Sequence, residues 1–296
     1  MEKALYKRRT FLKQAGLLAL GTMIAPQGIT SCSLRSKGKK FIGIQLYSLR
    51  EMVEKDGIEH VLEIVANTGF RHIETASYED GMIYGLQPAD FRKKVIALNM
   101  KHTSAHVGRM LEPGKEAEIL QWWERVFDAH GEAGVEQVIF PWMPVNEETT
   151  LDDLLRYCAY FNEIGLRANN RGIRFGYHNH AFEMASIAEE RILDFLMDHV
   201  DSRYVAFELD VYWCQEGGGN PLKFLMERPD QITSVHIKDV KEIGASGKMD
   251  FKPIFEQMNA NGISNWYVEI EEFTNNDAIK GIKDSYSFLA KAPYVY

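Results

Sequence analysis

Residues 232–239 read Ile-Thr-Ser-Val-His-Ile-Lys-Asp, and this alternation of apolar and polar side chains predicts a β-strand that ends in charged groups. Three other stretches end in the same way: Tyr-His-Asn-His at 177–180, Glu-Leu-Asp at 208–210 and Glu-Ile-Glu-Glu at 269–272. Buried charge is costly unless it is paired or bound to a metal ion. Because His, Asp and Glu are the usual ligands of divalent cations, four such strand ends predict a reaction centre.

Apolar, strand-like runs recur at intervals of 27 to 37 residues, beginning near residues 41, 72, 101, 137, 174, 205, 232 and 266. Each interval has room for one helix and two loops, so the repeat predicts a single-domain α/β fold, a (β/α)8 TIM barrel over residues 41–296. A doubly wound open sheet is the alternative. It is disfavoured because no Gly-x-Gly-x-x-Gly follows the first strand.

The first 32 residues have the order of an export signal. Lys-Arg-Arg-Thr-Phe-Leu-Lys at 7–13 precedes an apolar run from Ala15 to Ala25, which is shorter than the ~20 residues of a membrane span. Ile-Thr-Ser-Cys at 29–32 resembles a lipobox, in which the cysteine carries the lipid. We therefore predict a twin-arginine (Tat) signal peptide over residues 1–31, a lipid anchor at Cys32, a short linker over 32–40, and export to the periplasm or cell envelope.

Without residues 1–31, the chain has 29 basic and 41 acidic residues, a formal net charge of −12. Such a surface repels phosphate backbones, which argues against a nucleic-acid partner. Cys158 and Cys214 remain, and we expect two buried free thiols, with a disulfide as the alternative in an oxidising compartment. The sequence leaves open whether the protein is a homo-oligomer.

Five segments occur in a characteristic order and spacing: Phe-Ile-Gly-Ile-Gln-Leu-Tyr-Ser-Leu from 41, Tyr-His-Asn-His-Ala-Phe-Glu from 177, Leu-Asp-Val-Tyr-Trp from 209, Val-His-Ile-Lys-Asp from 235 and Tyr-Val-Glu-Ile-Glu from 267. Together they resemble the sugar phosphate isomerase/epimerase family, whose members have a xylose isomerase-like barrel. The resemblance covers roughly residues 40 to 290. It is specific for the family and says little about the substrate.

The resemblance implies one divalent metal ion (Mn²⁺, Mg²⁺, Co²⁺ or Zn²⁺), held by side chains from strands five to eight that are typically Glu, Asp, His and Glu. The matching positions here are His178, Asp210, His236 and Glu269. His178 therefore stands where the family has Glu. This departure disfavours epimerisation between two opposed carboxylates, and it favours a metal-assisted elimination, hydration or one-base isomerisation. Whether His178 or His180, and Glu269 or Glu271, binds the ion stays open.

Further inward residues are candidates for proton transfer. Glu269, Glu271 and His180 are candidate bases, and Lys238 or His180 is the candidate proton donor. We expect a bound dication to lower the pKa of Lys238. The alternative role for Lys238 is a salt bridge to Glu208 or Glu271.

Four residues are candidate substrate contacts: Glu74, His106, Trp142 and Trp213. For Glu74 and His106 the alternative is a satisfied polar residue of the interior, and for the two tryptophans it is packing. The run Gly217-Gly218-Gly219 predicts a flexible loop over the barrel mouth.

The resemblance implies a metal-dependent sugar isomerase or epimerase that acts on a keto-sugar or related carbohydrate through an enediolate. One alternative is a lyase or dehydratase acting on 3-keto-sugars or 3-keto-glycosides. The other is an envelope protein that binds carbohydrate without catalysis. The predicted export argues against a sugar phosphate as substrate, since sugar phosphates stay in the cytosol.

Overall fold

The structure, a computed structural model, describes residues 40 and 42–296. Eight parallel strands close into a barrel in which each strand pairs with the next and the last pairs with the first. We number them in chain order: β1 Gly43–Gln45, β2 His72–Thr75, β3 Lys101–His106, β4 Gln137–Phe140, β5 Arg174–His178, β6 Val205–Asp210, β7 Ile232–Lys238 and β8 Asn265–Glu269. The closed barrel confirms the predicted fold and excludes the open sheet.

Helices connect the strands and cover the barrel: α1 Arg50–Asp56, α2 Ile58–Thr68, α3 Pro88–Ala97, α4 Glu116–Ala133, α5 Leu151–Asn169, α6 Ile192–His199, α7 Val211–Glu216, α8 Pro221–Glu227, α9 Phe251–Ala260 and α10 Ala278–Lys291. Local sequence signals begin several of them. Thr150 and Asp153 form a capping box at the start of α5, and proline occupies the first position of α3 and α8.

The barrel interior is polar. Hydrogen bonds between side chains of strands that are not neighbours show that these side chains point inward. His236 of β7 lies 2.6 Å from a carboxylate oxygen of Glu74 on β2, and the Tyr267 hydroxyl of β8 lies 2.8 Å from that of Thr103 on β3. Alternate residues such as Ile44 belong to the hydrophobic core. Barrel interiors are more often filled with branched apolar side chains. The polar set therefore reflects a requirement other than packing.

The three glycines at 217–219 allow close packing, which corrects the prediction of a flexible loop over the mouth. A Cβ atom at Gly217 would lie 2.3 Å from the carbonyl oxygen of Ala181, and one at Gly219 would lie 2.5 Å from the sulfur of Met184. Gly218 has a φ of +86°, which L-residues with side chains rarely adopt. The run thus ends α7 and packs against the segment that follows β5.

The predicted signal peptide, the anchor at Cys32, Phe41 and the linker up to residue 39 lie outside the described residues. Within residues 40 and 42–296, no helix is both long and apolar enough to cross a membrane. Cys158 and Cys214 are buried free thiols, and burial raises the pKa of each to about 12.

His130 of α4 makes the stability of the barrel depend on pH. Burial lowers its pKa to about 4, while its Nδ1 donates to the Val126 carbonyl at 2.7 Å. A lowered pKa in the folded state means that stability is present above the unfolded value of 6.5 and is lost as pH falls towards 4. We expect His130 alone to reduce the free energy of unfolding by about 2 kcal/mol between pH 7 and pH 5.

Urea unfolding of the wild type and of His130→Leu at both pH values measures this contribution. The variant should lose less stability on acidification, whatever its stability at pH 7. His60→Leu, which replaces an exposed histidine of α2, is the control and should keep the wild-type pH dependence. Equal losses in wild type and His130→Leu would disprove the assignment.

Candidate metal centre and active-site cavity

Two groups of side chains that could bind a metal ion meet near the carboxyl ends of the strands and share His236. The mouth group consists of His178, Asp210, His236 and Glu269. The inner group consists of Glu74, His106, Glu208 and His236. Within each group, ligand atoms lie within 4.8 Å of one another. Their distances and hydrogen bonds decide which group can hold an ion.

In the mouth group, the distances suit a bound cation better than direct hydrogen bonds. Nε2 of His178 lies 3.6 Å from Oδ2 of Asp210, and Nδ1 of His236 lies 3.5 Å from Oε2 of Glu269 and 3.9 Å from Oδ2 of Asp210. These separations exceed the usual hydrogen-bond range of about 2.7–3.2 Å. They match atoms that surround one ion at roughly 2.0–2.2 Å.

Several of these buried atoms lack a partner. Within the described part of the chain, both ring nitrogens of His178, Oδ2 of Asp210 and Nδ1 of His236 have no hydrogen-bond partner. Buried polar atoms are nearly always satisfied, so orphaned atoms that converge on one point indicate a missing ligand. Their chemistry, two imidazoles and two carboxylates, is that of a divalent metal site.

The inner group is instead held together by hydrogen bonds. Nε2 of His236 lies 2.6 Å from Oε2 of Glu74 and 3.0 Å from Oε2 of Glu208, and Nε2 of His106 lies 2.7 Å from the same oxygen of Glu208. Glu74 also accepts hydrogen bonds from Gln45, at 2.7 Å, and from Ser104. The two carboxylates therefore hold one edge of the His236 ring and turn its Nδ1 towards the mouth group.

The Asp210 carboxylate is positioned by hydrogen bonds that leave one oxygen free. It caps α7, because its Oδ1 accepts the amide of Trp213 at 2.7 Å. Asn179 binds the backbone of Asp210 on both sides, accepting its amide at 3.0 Å and donating to its carbonyl at 3.3 Å. Oδ2 is thus left for the mouth group.

His178 and His180 differ in surroundings. His178 belongs to the mouth group, whereas His180 lies outside it and donates its backbone amide to Glu183 at 2.7 Å. Burial, then the neighbouring His178, lowers the pKa of the His180 ring to about 3, so the ring is neutral near pH 7. Glu183 also accepts the Tyr177 hydroxyl, at 2.5 Å, and its buried carboxyl holds this segment in place.

Glu269 and Glu271 are joined by Lys238. The Lys238 ammonium lies 3.2 Å from Glu269 and 2.9 Å from Glu271. The salt bridge considered from the sequence is therefore present for Glu271, with Glu269 as the second partner. Burial alone would lower the pKa of Lys238, but the surrounding carboxylates raise it. The expected fall beside a bound dication stays a prediction.

A cavity of about 540 Å³ opens above the mouth group. Seven residues singled out from the sequence line it: His106, Trp142, His178, His180, Trp213, Glu269 and Glu271. Glu74 lies beneath the cavity as a fully buried, hydrogen-bonded carboxylate, which is the alternative role that the sequence offered. The sequence did not indicate a role in the site for three residues, although each lies within a segment that carried the family resemblance: Tyr47, Asn179 and Glu183.

A closed parallel barrel with metal-ligating side chains at its carboxyl mouth is an architecture typical of TIM-barrel enzymes. Residues 62–292 match the family described as xylose isomerase-like TIM barrel, and the chain belongs to this family. The crystal structure of a sugar phosphate isomerase/epimerase from Parabacteroides distasonis ATCC 8503 is 32% identical, covers 87% of this chain and 100% of the other, and has a TM-score of 0.82.

Two other comparisons have lower sequence identity. Inosose dehydratase from Geobacillus thermodenitrificans (strain NG80-2) is 27% identical over 157 residues, which are 45% of this chain and about half, 51%, of that relative. The crystal structure of the IOLI protein with a binding zinc atom has a TM-score of 0.68 and 15% identity, and covers 86% of this chain and 99% of the other. At that identity the likeness shows the fold alone.

Asp210→Asn should abolish retention of one divalent ion per chain, because an amide replaces the negative carboxylate while the cap of α7 can be kept. Metal content after loading with Mn²⁺ and dialysis measures the effect, and circular dichroism checks the fold. Asp194→Asn, at a half-buried ion pair with Arg191 on the outside of the barrel, is the matched control. Retention of Mn²⁺ by Asp210→Asn would place the centre elsewhere.

Glu74→Gln and Glu208→Gln should weaken Mn²⁺ binding by about 10–100-fold without changing the stoichiometry, since they act through the orientation of His236. Isothermal titration calorimetry measures both quantities. Glu242→Gln, at a buried glutamate outside both groups, is the control. If Glu74→Gln abolished binding and Asp210→Asn did not, the inner group would be the metal site.

Proposed function

We propose that this chain is a metal-dependent sugar isomerase or epimerase that acts in the cavity above the mouth group. The observation that carries the proposal is the convergence of orphaned, buried ligand atoms from β5, β6 and β7 on one point at the floor of that cavity. The family supports an enzyme of this superfamily, and the Parabacteroides relative is named for isomerisation and epimerisation.

The mouth group fits a divalent cation of the transition-metal type, because two imidazoles and two carboxylates suit borderline metals better than Ca²⁺. The zinc in the IOLI protein is consistent with this donor set. Such an ion supplies Lewis-acid polarisation of a sugar carbonyl. Mn²⁺, Mg²⁺, Co²⁺ and Zn²⁺ are all candidates, and calorimetric titration with each ion would distinguish them.

The acid–base groups lie on two sides of the cavity, near the ends of β7 and β8 and just beyond β5. Glu271 lines the cavity, and we assign it the removal of the proton next to the carbonyl. Lys238 lies behind it, within 2.9 Å, and stabilises the carboxylate that must accept the proton. From the β5 side, the neutral His180 ring can donate to or accept from a substrate hydroxyl.

A second candidate is a dehydratase, and one feature favours it. The position on β5 that holds a carboxylate in the family holds His178 here, while Glu269 and Glu271 follow one another on β8 and just beyond it. A base on one face of the sugar suits removal of a proton and a hydroxyl from that same face. Curated relatives that match part of this chain include inosose dehydratases.

Proton exchange in D₂O by the Mn²⁺-loaded protein tests the function and separates the two candidates. With reducing and oxidised sugars as probes, we expect metal-dependent deuterium incorporation next to the carbonyl, with an isomeric sugar as product. Loss of water instead would support the dehydratase. Asp210→Asn is the metal-free control, and exchange by wild type that equals this control would reject both.

A further inference from the structure

We infer that the substrate is an unphosphorylated glycoside, whose reacting ring lies over the mouth group and whose second sugar ring packs against Tyr47 and Trp142. This inference rests on the proposed function, because it names the substrate class for the same cavity. Two observations support it. The rim of the cavity carries exposed aromatic side chains, and the loops where TIM barrels often bind phosphate have their donors paired with carboxylates of the chain itself.

The rim consists of two large, partly exposed aromatic side chains, and the Arg50 guanidinium covers one face of the Tyr47 ring at 4.4 Å. Tyr47 and Trp142 are each 44% exposed, and both line the cavity that contains His178 and Glu269. They follow β1 and β4, so they come from different sides of the mouth. Aromatic faces pack well against the C–H surfaces of sugar rings. We assign the buried mouth group to the reacting ring and the exposed rim to a second ring of the same substrate.

The volume of the cavity agrees with a substrate larger than a free monosaccharide. At about 540 Å³, it falls within the range of roughly 300–1,000 Å³ that is usual for drug-sized ligands. Three further aromatic side chains, Tyr78, Trp122 and Trp213, also line it. A wall of this kind is suited to a neutral, amphipathic ligand.

The cavity has little to attract a phosphate. Arg50 is the one Lys or Arg among its described lining residues, and it already donates to the carbonyls of Tyr47, at 3.1 Å, and Glu271, at 3.4 Å. Glu269 and Glu271 add negative charge to the same wall. A phosphate dianion would be repelled by both carboxylates.

The loops after the seventh and eighth strands, where TIM barrels often bind phosphate, are filled from within the chain. Asp239 accepts the amides of Val240, at 2.8 Å, and Gly244, at 3.0 Å. Glu242 accepts the amide and hydroxyl of Thr274, at 2.9 and 2.8 Å. Donors in both loops are therefore already paired with carboxylates of the chain itself, and none of these residues lines the cavity above the mouth group.

The test compares three forms of one sugar with the Mn²⁺-loaded full chain: a monosaccharide, its 6-phosphate and reducing disaccharides that contain it. Glucose, glucose 6-phosphate, cellobiose, maltose and lactose are the probes, and binding is measured by calorimetry beside proton exchange in D₂O. We expect a disaccharide to bind most tightly. Trp142→Ala should weaken its binding by about three- to tenfold and leave glucose binding within about twofold.

Tyr296→Ala, which removes an exposed aromatic far along the chain from the rim residues, is the matched control and should leave every affinity unchanged. Tighter binding of glucose 6-phosphate, or disaccharides that bind no better than glucose, would overturn the inference while metal-dependent exchange still supported the proposed function. Disaccharide binding that depends on Trp142 without any exchange would reject the function and keep the binding site. No binding and no exchange by any probe would reject both.

Discussion

The burial of four carboxylates around one imidazole is the constraint on which the barrel mouth depends. Two carboxylates, Glu74 and Glu208, lie against Nε2 of His236, and two others, Asp210 and Glu269, lie near its Nδ1. Each buried charge needs a partner of opposite charge or a hydrogen-bond donor. Removing the imidazole would therefore leave buried carboxylates unpaired, which lowers the free energy of unfolding. Strands β2, β6, β7 and β8 are thereby tied together through a single ring, which accounts for the polar interior of this barrel.

The last residue of β5 and the segment that follows it extend this arrangement, because their side chains position one another and the mouth group. His178 presents its ring to the mouth group, Asn179 holds the backbone of Asp210, and Glu183 binds the amide of His180. The glycines that follow α7 pack closely on the same segment, since a side chain there would collide with Ala181 or Met184. A short motif thus supplies a candidate ligand, a backbone support and the position of a cavity residue.

The eight strands could be predicted because a period of two and a regular spacing are properties of the sequence itself, and both survive folding. The convergence of Asp210, His236 and Glu269 followed from strand ends meeting at one edge. The sequence could not show which nitrogen of His236 faces Asp210 and Glu269, because that depends on Glu74, 162 residues away and across the barrel. Likewise, three consecutive glycines in a sequence predict a flexible backbone. Here the segment that follows β5 packs into the space left by the missing side chains of Gly217 and Gly219.

Asp210 divides its two oxygens between a helix and a candidate metal centre. Oδ1 receives the Trp213 amide at the start of α7, while Oδ2 faces His178 and His236. An ion bound to Oδ2 would therefore be in thermodynamic linkage with the first turn of this helix. The hydrogen-exchange rate of the Trp213 amide would then report whether the centre is occupied, from a backbone position that does not contact the ion.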